Sequence, residues 1–129
     1  MSPFKEIFEH TKTIAIVGLS ANPERASYGV AQALMPYFTI IPVNPAYDEV
    51  LGLTCYPDLQ SVPDQIDMVN VFQRSENVMP FVTPSIDLNV KYFWMQLGIA
   101  NTDARSQLEA VGIQVVEDRC TKIEFARFG

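Results

Sequence analysis

The chain alternates short apolar runs with longer segments whose apolar residues recur at helical spacing, and this alternation limits the folds open to it. Residues 13–18 form a continuous apolar run that ends in glycine, which is typical of a strand buried on both faces of a sheet. Further runs of this kind, including one weaker candidate for an edge strand, are residues 39–43, 53–56, 67–72, 91–95 and 113–116. Because helix-length segments separate these runs, the pattern predicts parallel strands joined by helices.

Helices are predicted between the strands, on residues 3–11, 27–37, 78–88, 101–111 and 121–128. Ser27 is predicted as the N-cap of the second helix, and Gly112 ends the fourth. A chain of 129 residues suits one domain, which buries roughly two-thirds of its unfolded surface. We therefore predict an α/β fold, a doubly wound Rossmann-like parallel sheet of five to six strands, in a single domain that spans residues 1–129.

Charge and composition exclude several classes of function. Nine Lys and Arg residues against fifteen Asp and Glu residues give a net charge of −6, which disfavours nucleic acid or an anionic membrane as a partner. No run reaches the roughly 18 apolar residues of a membrane span, and the polar start does not resemble a signal peptide. Cys55 and Cys120 lack Cys-x-x-Cys spacing and His10 is the single histidine, so we predict neither a disulfide nor a metal site. These features favour a cytoplasmic protein.

Ligands of doubly wound sheets bind beyond the carboxyl ends of the strands, where the strand order reverses. The segments that follow the predicted strands are residues 18–27, 44–45, 73–74, 96–98 and 117–122. In the first segment Gly18 permits a sharp turn, and the predicted helix start near Ser27 presents unpaired N–H groups that suit a pyrophosphate. Ser20 and Arg25 add a hydroxyl donor and a cation. The alternative is an ordinary loop, with Ser27 as a cap and Arg25 in solvent.

Familiar nucleotide-binding patterns do not fit the strand ends. The first loop lacks Gly-x-Gly-x-x-Gly, and Asn44 stands where dinucleotide folds place an acidic residue for the ribose. No Gly-Lys-Ser/Thr of a P-loop occurs, and Asp67 opens its strand, which disfavours a phosphoacceptor site. Arg74 and Lys122 each allow two interpretations, a phosphate contact or a surface charge. Cys120 is either a small packed residue or a nucleophile whose activating base is not apparent.

Five motifs in chain order carry a family resemblance that none of them carries alone. They are Ile16-Val17-Gly18-Leu19-Ser20-x-x-Pro23-x-Arg25-x-Ser27-Tyr28-Gly29-Val30, Ile41-Pro42-Val43-Asn44-Pro45, Val71-Phe72-x-Arg74-Ser75-Glu76, Trp94-x-Gln96-Leu97-Gly98 and Asp118-Arg119-Cys120-x-Lys122. Together they resemble the bacterial and archaeal CoA-binding domain family, small Rossmann proteins that are similar to the CoA-binding module of the succinyl-CoA synthetase α subunit. The resemblance covers residues 11–128.

This resemblance implies coenzyme A as the ligand and cofactor and assigns its parts to the strand-end loops. The first loop would hold the phosphates, residues 44–45 would lie near the adenosine, and residues 72–74 and 96–98 would line the pantetheine path. The residues implied to bind CoA are Gly18, Ser20, Pro23, Arg25, Ser27, Tyr28, Asn44, Pro45, Phe72, Arg74, Gln96, Gly98, Cys120 and Lys122, of which the last two would close the site. One departure is Gln73, where relatives often carry Arg, and it removes one cation for the phosphates.

The strand ends fit CoA better than NAD. CoA carries a ribose 3′-phosphate, which Arg25, Arg74 and Lys122 would attract and which an acidic residue in place of Asn44 would repel. Because no acid–base pair is found at the strand ends, we predict a non-catalytic protein that binds CoA or acyl-CoA as a small-molecule ligand. It would act alone, with a protein partner or as a homodimer.

Two other hypotheses stay open. The first is an NAD(P)- or CoA-dependent enzyme, such as an oxidoreductase or acyl transferase, and it is supported only by analogy of fold. The second is a mixed disulfide between Cys120 and the thiol of CoA. The ligase chemistry of the synthetases is not expected, because they phosphorylate a histidine in a separate domain and this sequence holds only His10.

Overall fold

The core of the molecule is a parallel sheet. A computed structural model describes residues 4–128. Its strands in chain order are β1 (Thr13–Val17), β2 (Thr39–Val43), β3 (Glu49–Val50), β4 (Leu53–Thr54), β5 (Met68–Val71), β6 (Tyr92–Met95) and β7 (Gln114–Val116). Five of them form the sheet in the order β2-β1-β5-β6-β7, and β3 and β4 form a separate antiparallel pair. The predicted α/β, Rossmann-like fold class is confirmed.

Helices cover both faces of this sheet. They are α1 (Lys5–Glu9), α2 (Ala26–Leu34), α3 (Val82–Asp87), α4 (Thr102–Ala110) and α5 (Thr121–Phe128). Ile16 of β1 faces a buried cluster that includes Leu34 of α2 and is flanked by Phe125 of α5. The next residue, Val17, faces the opposite cluster, which includes Leu108 of α4. Because successive strand residues point to opposite faces and both faces are buried, β1 is apolar without alternation.

The strand order reverses at β1. Ala15 of β1 pairs with Ile41 of β2 on one side and with Val69 of β5 on the other. The chain therefore leaves β1 toward one edge of the sheet and later crosses to the other edge. The connections that follow β1 and β5 diverge from this point, and such a switch leaves a crevice at the carboxyl ends of the strands.

The predicted edge strand at residues 53–56 forms only in part. Only Leu53–Thr54 is a strand, and it pairs antiparallel with Glu49–Val50 outside the main sheet. Tyr56 adds one parallel bridge to Val43. Strands of two residues are too short to produce an apolar run, so the sequence carried no signal for β3.

The predicted cap of α2 is also wrong. The helix begins at Ala26 with Arg25 as the N-cap, and no side chain caps it. The Ser27 hydroxyl instead accepts a hydrogen bond from the backbone N–H of Ser20 at 3.0 Å. By contrast, a side chain does cap α4, because Asn101 accepts a hydrogen bond from the N–H of Ala104.

Two predicted helices are shorter than expected. Residues 78–88 begin as a 3₁₀ turn, Met79–Phe81, with a proline near its start, and become α-helical only at Val82. The leading helix is Lys5–Glu9, and residue 3 of its predicted range lies outside the described residues.

No helix within residues 4–128 has the length and apolar character needed to cross a bilayer.

The terminal helix packs within the domain. The ring of Phe8 on α1 lies 5.2 Å from the ring of Phe125 and 6.1 Å from that of Phe128, between ring centroids. Phe8 also lies 5.5 Å from Trp94, which is fully buried in β6. This aromatic cluster joins α1 and α5 to the same face of the sheet.

Candidate ligand-binding cleft

A cleft with a volume of about 740 Å³ opens at the carboxyl ends of the strands, where the connections after β1 and β5 diverge. This volume lies within the range of small-molecule sites, roughly 300–1,000 Å³. The lining residues belong to the segments after the strands and to the first turns of α2 and α5. They are Gly18, Ser20, Arg25, Ala26, Ser27, Val30, Asn44, Tyr47, Phe72, Gln73, Arg74, Gln96, Leu97, Gly98, Ile99, Cys120 and Ile123.

Gly18 brings the loop after β1 against the loop after β5. Its φ is 85°, a left-handed conformation that side chains disfavour. A Cβ at this position would collide with the carbonyl oxygen of Phe72 and would lie 3.0 Å from Nε2 of Gln73. Only glycine fits here, so Gly18 sets the width of the cleft at its floor.

The loop between β1 and α2 is held by its own side chains. The Ser20 N–H donates to the Ser27 hydroxyl, and the Ser20 hydroxyl accepts from the N–H of Asn22 at 3.0 Å. Within the described chain, the N–H groups of Ala26 and Ser27 have no hydrogen-bond partner. These are the first amides of α2, and Arg25 lies beside them at the N-cap. Unpaired amides at a helix start, together with a cation, form a site suited to an anion.

Asn44 fixes the β2 end of the cleft. Its Nδ2 donates to the carbonyl of Leu19 at 3.1 Å, and its Oδ1 accepts from the N–H of Ala46 at 2.9 Å. The side chain thus joins the turn after β2 to the loop after β1. Tyr47 follows in this turn and lines the cleft, whereas Pro45 is exposed and does not.

A buried polar network supports the cleft from below. Asn70 donates from Nδ2 to Oε1 of Gln96 at 3.2 Å, and the Thr121 hydroxyl donates to Oδ1 of Asn70 at 3.0 Å. The N–H of Thr121 also donates to Oε1 of Gln96, at 3.4 Å. The network therefore ties β5 and β6 to the first residue of α5.

Gln96 keeps one donor free. Its Nε2 has no hydrogen-bond partner among residues 4–128, although only 6% of the residue is exposed. Every fully buried side-chain nitrogen and oxygen in that range has a partner, so Nε2 reaches a surface. Since Gln96 lines the cleft, that surface is the floor of the cleft, and Nε2 can donate to a ligand.

Carboxylates near the cleft are used to join its loops. Asp118 accepts a hydrogen bond from the N–H of Gly98 at 2.6 Å. Glu117 accepts from the N–H of Asn101 at 2.8 Å and from the Arg105 guanidinium at 2.9 Å. Hydrogen bonds to Glu117 and then to Glu109 raise the pKa of Arg105, outweighing desolvation. These contacts fix the connection after β6 to the connection after β7.

The charge of the cleft differs from that of the chain. Arg25 and Arg74 line it, are exposed, and make no side-chain ion pair or hydrogen bond with any described residue. None of the lining residues is acidic, although the chain carries a net charge of −6. Two unpaired guanidinium groups in a lining without acidic residues favour a ligand with several negative charges.

The two cysteines lie in different environments. Cys120 lines the cleft and is partly exposed, whereas Cys55 is buried, and its thiol lies 3.4 Å from the carbonyl oxygen of Asn44. Burial raises the pKa of the Cys55 thiol; the charge of Asp48 adds to this, and the hydrogen bond to Asn44 partly opposes it. In the part of the chain that the structure describes, His, Cys, Asp and Glu form no cluster that could hold a metal ion.

The model of a known family, the CoA binding domain, matches residues 12–126. The chain belongs to this family. Its relatives include the protein YneT of Bacillus subtilis (strain 168), which is 39% identical over 123 residues, or 95% of this chain and 91% of YneT. A solved structure of a hypothetical protein from Pyrococcus horikoshii OT3 is 35% identical, with a TM-score of 0.94 over 97% of this chain and 89% of that one.

This CoA binding domain is also homologous to one part of a larger enzyme. An ADP-forming acetate–CoA ligase of Methanocaldococcus jannaschii is 35% identical over 60 residues, which are 46% of this chain but only 8% of the ligase. The predicted family resemblance is therefore confirmed.

Ten of the fourteen residues that the resemblance implied line the cleft of this CoA binding domain. The four that do not are Pro23, Tyr28, Pro45 and Lys122. Lys122 instead lines a second cavity, of about 470 Å³, beside Tyr37 and Phe125. Neighbouring helix residues project about 100° apart, so Cys120 and Ile123 face the cleft while Lys122 turns toward α2.

Seven residues of the cleft were not among those implied: Ala26, Val30, Tyr47, Gln73, Leu97, Ile99 and Ile123. Ala26, Gln73 and Leu97 lie inside the segments that follow the predicted strands, so they could have been predicted to line the cleft from their positions. Val30 and Ile123 lie on helices. The face that a helix turns toward the cleft depends on how the helix packs on the sheet, and this packing cannot be seen in the sequence pattern.

Proposed function

We propose that this CoA binding domain holds coenzyme A or an acyl-CoA as a non-catalytic binding module. The observation that carries the proposal is the charge of the cleft. Arg25 and Arg74 are unpaired there, and none of its seventeen lining residues is acidic in a chain with a net charge of −6. CoA carries a pyrophosphate and a ribose 3′-phosphate, so it matches a cleft that excludes carboxylates and keeps guanidinium groups free.

The start of α2 is the best site for the pyrophosphate. The N–H groups of Ala26 and Ser27 are free within the described residues, and Arg25 adds a full positive charge beside them. Amides at a helix start donate to phosphate oxygens, and the helix dipole favours negative charge at the same point. The internal bonds of Ser20 hold this loop in place before a ligand arrives, which lowers the entropy cost of binding.

The distance across the strand ends suits the adenosine and pantetheine parts of CoA. Asn44 and Tyr47 follow β2 and would lie near the adenosine, while Phe72 and Gln96 follow β5 and β6 and would line the pantetheine path. Neighbouring strands lie about 4.8 Å apart, so the cleft crosses roughly 14 Å between the ends of β2 and β6. A linear ligand with a nucleotide at one end suits this elongated arrangement.

The chemistry of the lining supports binding rather than catalysis. No lining residue is His, Asp, Glu or Lys, so the cleft lacks the side chains that most often act as general acids and bases. The ligase relative is a much longer chain, and this domain matches only 8% of it. The alternative of an oxidoreductase or acyl transferase therefore has no support from the residues of the cleft.

Calorimetric titration of the purified, ligand-free protein tests the proposal. CoA should bind at micromolar concentration, dephospho-CoA more weakly, and NAD not at all. Arg25→Ala should weaken CoA binding by about ten-fold or more, because a charge-assisted hydrogen bond contributes about 1.5–3 kcal/mol. Lys12→Ala is the control, since it also removes one positive charge but lies at the opposite ends of the strands, beside Asp67. Equal affinity of the wild type and Arg25→Ala for CoA would reject the phosphate site.

A further inference from the structure

Two groups of the cleft have no part in holding phosphates: the thiol of Cys120 and the free Nε2 of Gln96. We propose that Cys120 is a thiol–disulfide exchange site that captures CoA from CoA-containing disulfides as a mixed disulfide. The inference rests on the proposed function, because the CoA moiety must occupy the cleft for its sulfur to reach Cys120.

The cleft has a polar end and an apolar end. Arg25 and the free amides lie after β1, whereas Cys120 lies after β7, with exposed Leu97 and Ile123 beside it. Three strand spacings separate β1 from β7, or about 14 Å. The pantetheine arm is about as long as four extended residues, roughly 14 Å. Arg25 and Cys120 line the same cleft, and an arm of this length is enough to reach from the end of β1 to the end of β7.

Gln96 gives an independent indication that the arm passes this way. Its Nε2 is a hydrogen-bond donor in a residue that is 6% exposed, it lacks a partner among the described residues, and it opens on the cleft floor. Because Nε2 reaches the cleft surface and is bonded to no described residue, it is available to donate to a ligand carbonyl. The pantetheine arm carries two amide carbonyls. Gln96 directly follows β6, and β6 lies between β1, the strand before Arg25, and β7, the strand before Cys120, where such a carbonyl is expected.

Of the two cysteines, only Cys120 is available to react. Its sulfur makes no hydrogen bond within the described chain, and it faces the cleft. Cys55 is 7% exposed, its thiol contacts the carbonyl of Asn44, and burial raises its pKa. Exchange requires an accessible thiolate, so Cys55 serves as an internal control.

The exchange balances without any further reactant. The Cys120 thiolate attacks the sulfur of a CoA disulfide, forms a Cys120–S–S–CoA bond, and breaks the original S–S bond. The second half of the disulfide leaves as a thiolate and takes the proton that Cys120 released to solvent. Cys120 is oxidised and the leaving thiol is reduced, so the disulfide itself is the oxidant. A second thiol reverses the reaction and releases CoA.

The test is intact-mass analysis of the reduced full chain after incubation with CoA disulfide or with oxidised glutathione. We expect one CoA adduct on the wild type and on Cys55→Ser, and none on Cys120→Ser. The CoA adduct should form on the order of ten-fold faster than the glutathione adduct, and Arg25→Ala should remove this preference, because binding positions the sulfur. An adduct on Cys120→Ser, or equal rates with the two disulfides, would overturn the inference.

Titration of the wild type and Cys120→Ser with reduced CoA, under reductant, separates the two proposals. Binding by both proteins without a mass adduct in the first assay rejects the exchange site and leaves the proposed function standing. Absence of binding by both proteins rejects the proposed function and the exchange site with it. Binding by both, together with an adduct confined to Cys120, supports both.

Discussion

Replacing Gly18 by alanine tests how the turn after β1 creates the cleft. Gly18 has a φ of 85°, and a Cβ there would collide with the carbonyl oxygen of Phe72. Gly112 offers a matched control, because its φ is 88° and nothing lies within 4 Å of the Cβ position. Both substitutions force alanine into the left-handed conformation. Only Gly18→Ala adds a collision with backbone atoms.

The difference between the two variants measures that collision. The left-handed conformation costs alanine about 1–2 kcal/mol, and the loss of freedom in the unfolded chain offsets about 0.4–1 kcal/mol. We therefore expect Gly112→Ala to lower the free energy of unfolding by about 1 kcal/mol. The Phe72 carbonyl cannot rotate away as a side chain would, and overpacking of this kind costs about 1–3 kcal/mol. Gly18→Ala should then cost about 2–4 kcal/mol.

Urea denaturation, followed by the fluorescence of Trp94, gives both values. The expected result is a lower midpoint for Gly18→Ala than for Gly112→Ala, with unchanged m-values. Equal midpoints would refute the argument that the approach of Phe72 requires glycine. In calorimetry with CoA, the folded fraction of Gly18→Ala should bind more weakly than Gly112→Ala, because displacing the Phe72 carbonyl also moves Arg74.

Two further changes test contacts below the cleft and at the opposite edge. Burial alone would raise the pKa of Asp67, but hydrogen bonds from two backbone N–H groups and the charge of Lys91 outweigh it, so the pKa is lowered. The ionised carboxylate therefore stabilises the folded protein fully above about pH 4, and this stabilisation is lost as the pH falls through the lowered pKa. In urea denaturation, the stability advantage of the wild type over Asp67→Asn should therefore stay constant from about pH 6 to pH 4 and shrink below about pH 4. A difference that stays constant down to about pH 3 would contradict this. Thr121→Val removes the hydroxyl that donates to Asn70 and should lower the free energy of unfolding by about 1–3 kcal/mol, whereas an unchanged urea midpoint would speak against the network.

The main sheet could be predicted from the sequence because each of its strands is buried on both faces. The 39–43 run matches β2 residue for residue, and the others differ from the observed strands by one or two residues. The β3–β4 pair could not be predicted, since two-residue strands leave no run and their pairing depends on the turn at Leu51 and Gly52, both with positive φ. Burial of long elements leaves a pattern in the sequence, and short pairings do not.

The loops of the cleft were predictable, but the direction of individual side chains was not. Gly18, Asn44 and Gln96 directly follow strands, and parallel strands bring their carboxyl ends to one edge of the sheet, so these residues could be predicted to line the cleft. Lys122 follows the same rule by position and still turns into the second cavity, because α5 begins at Thr121 and rotates it away. The polar network of Asn70 was equally hidden, since an Asn inside an apolar run gives no indication of its partner.

The absence of acidic residues from the cleft lining depends on the positions of two carboxylates at the end of β7. Glu117 and Asp118 follow β7, so their position alone would bring two negative charges to the ligand edge. Asp118 is instead turned, at a φ of 56°, onto the N–H of Gly98, and Glu117 is bonded to the N–H of Asn101 and to Arg105. Each carboxylate that closes a loop in this way is held by those contacts and does not line the cleft. An acidic chain can therefore keep unpaired arginines where a polyphosphate would bind.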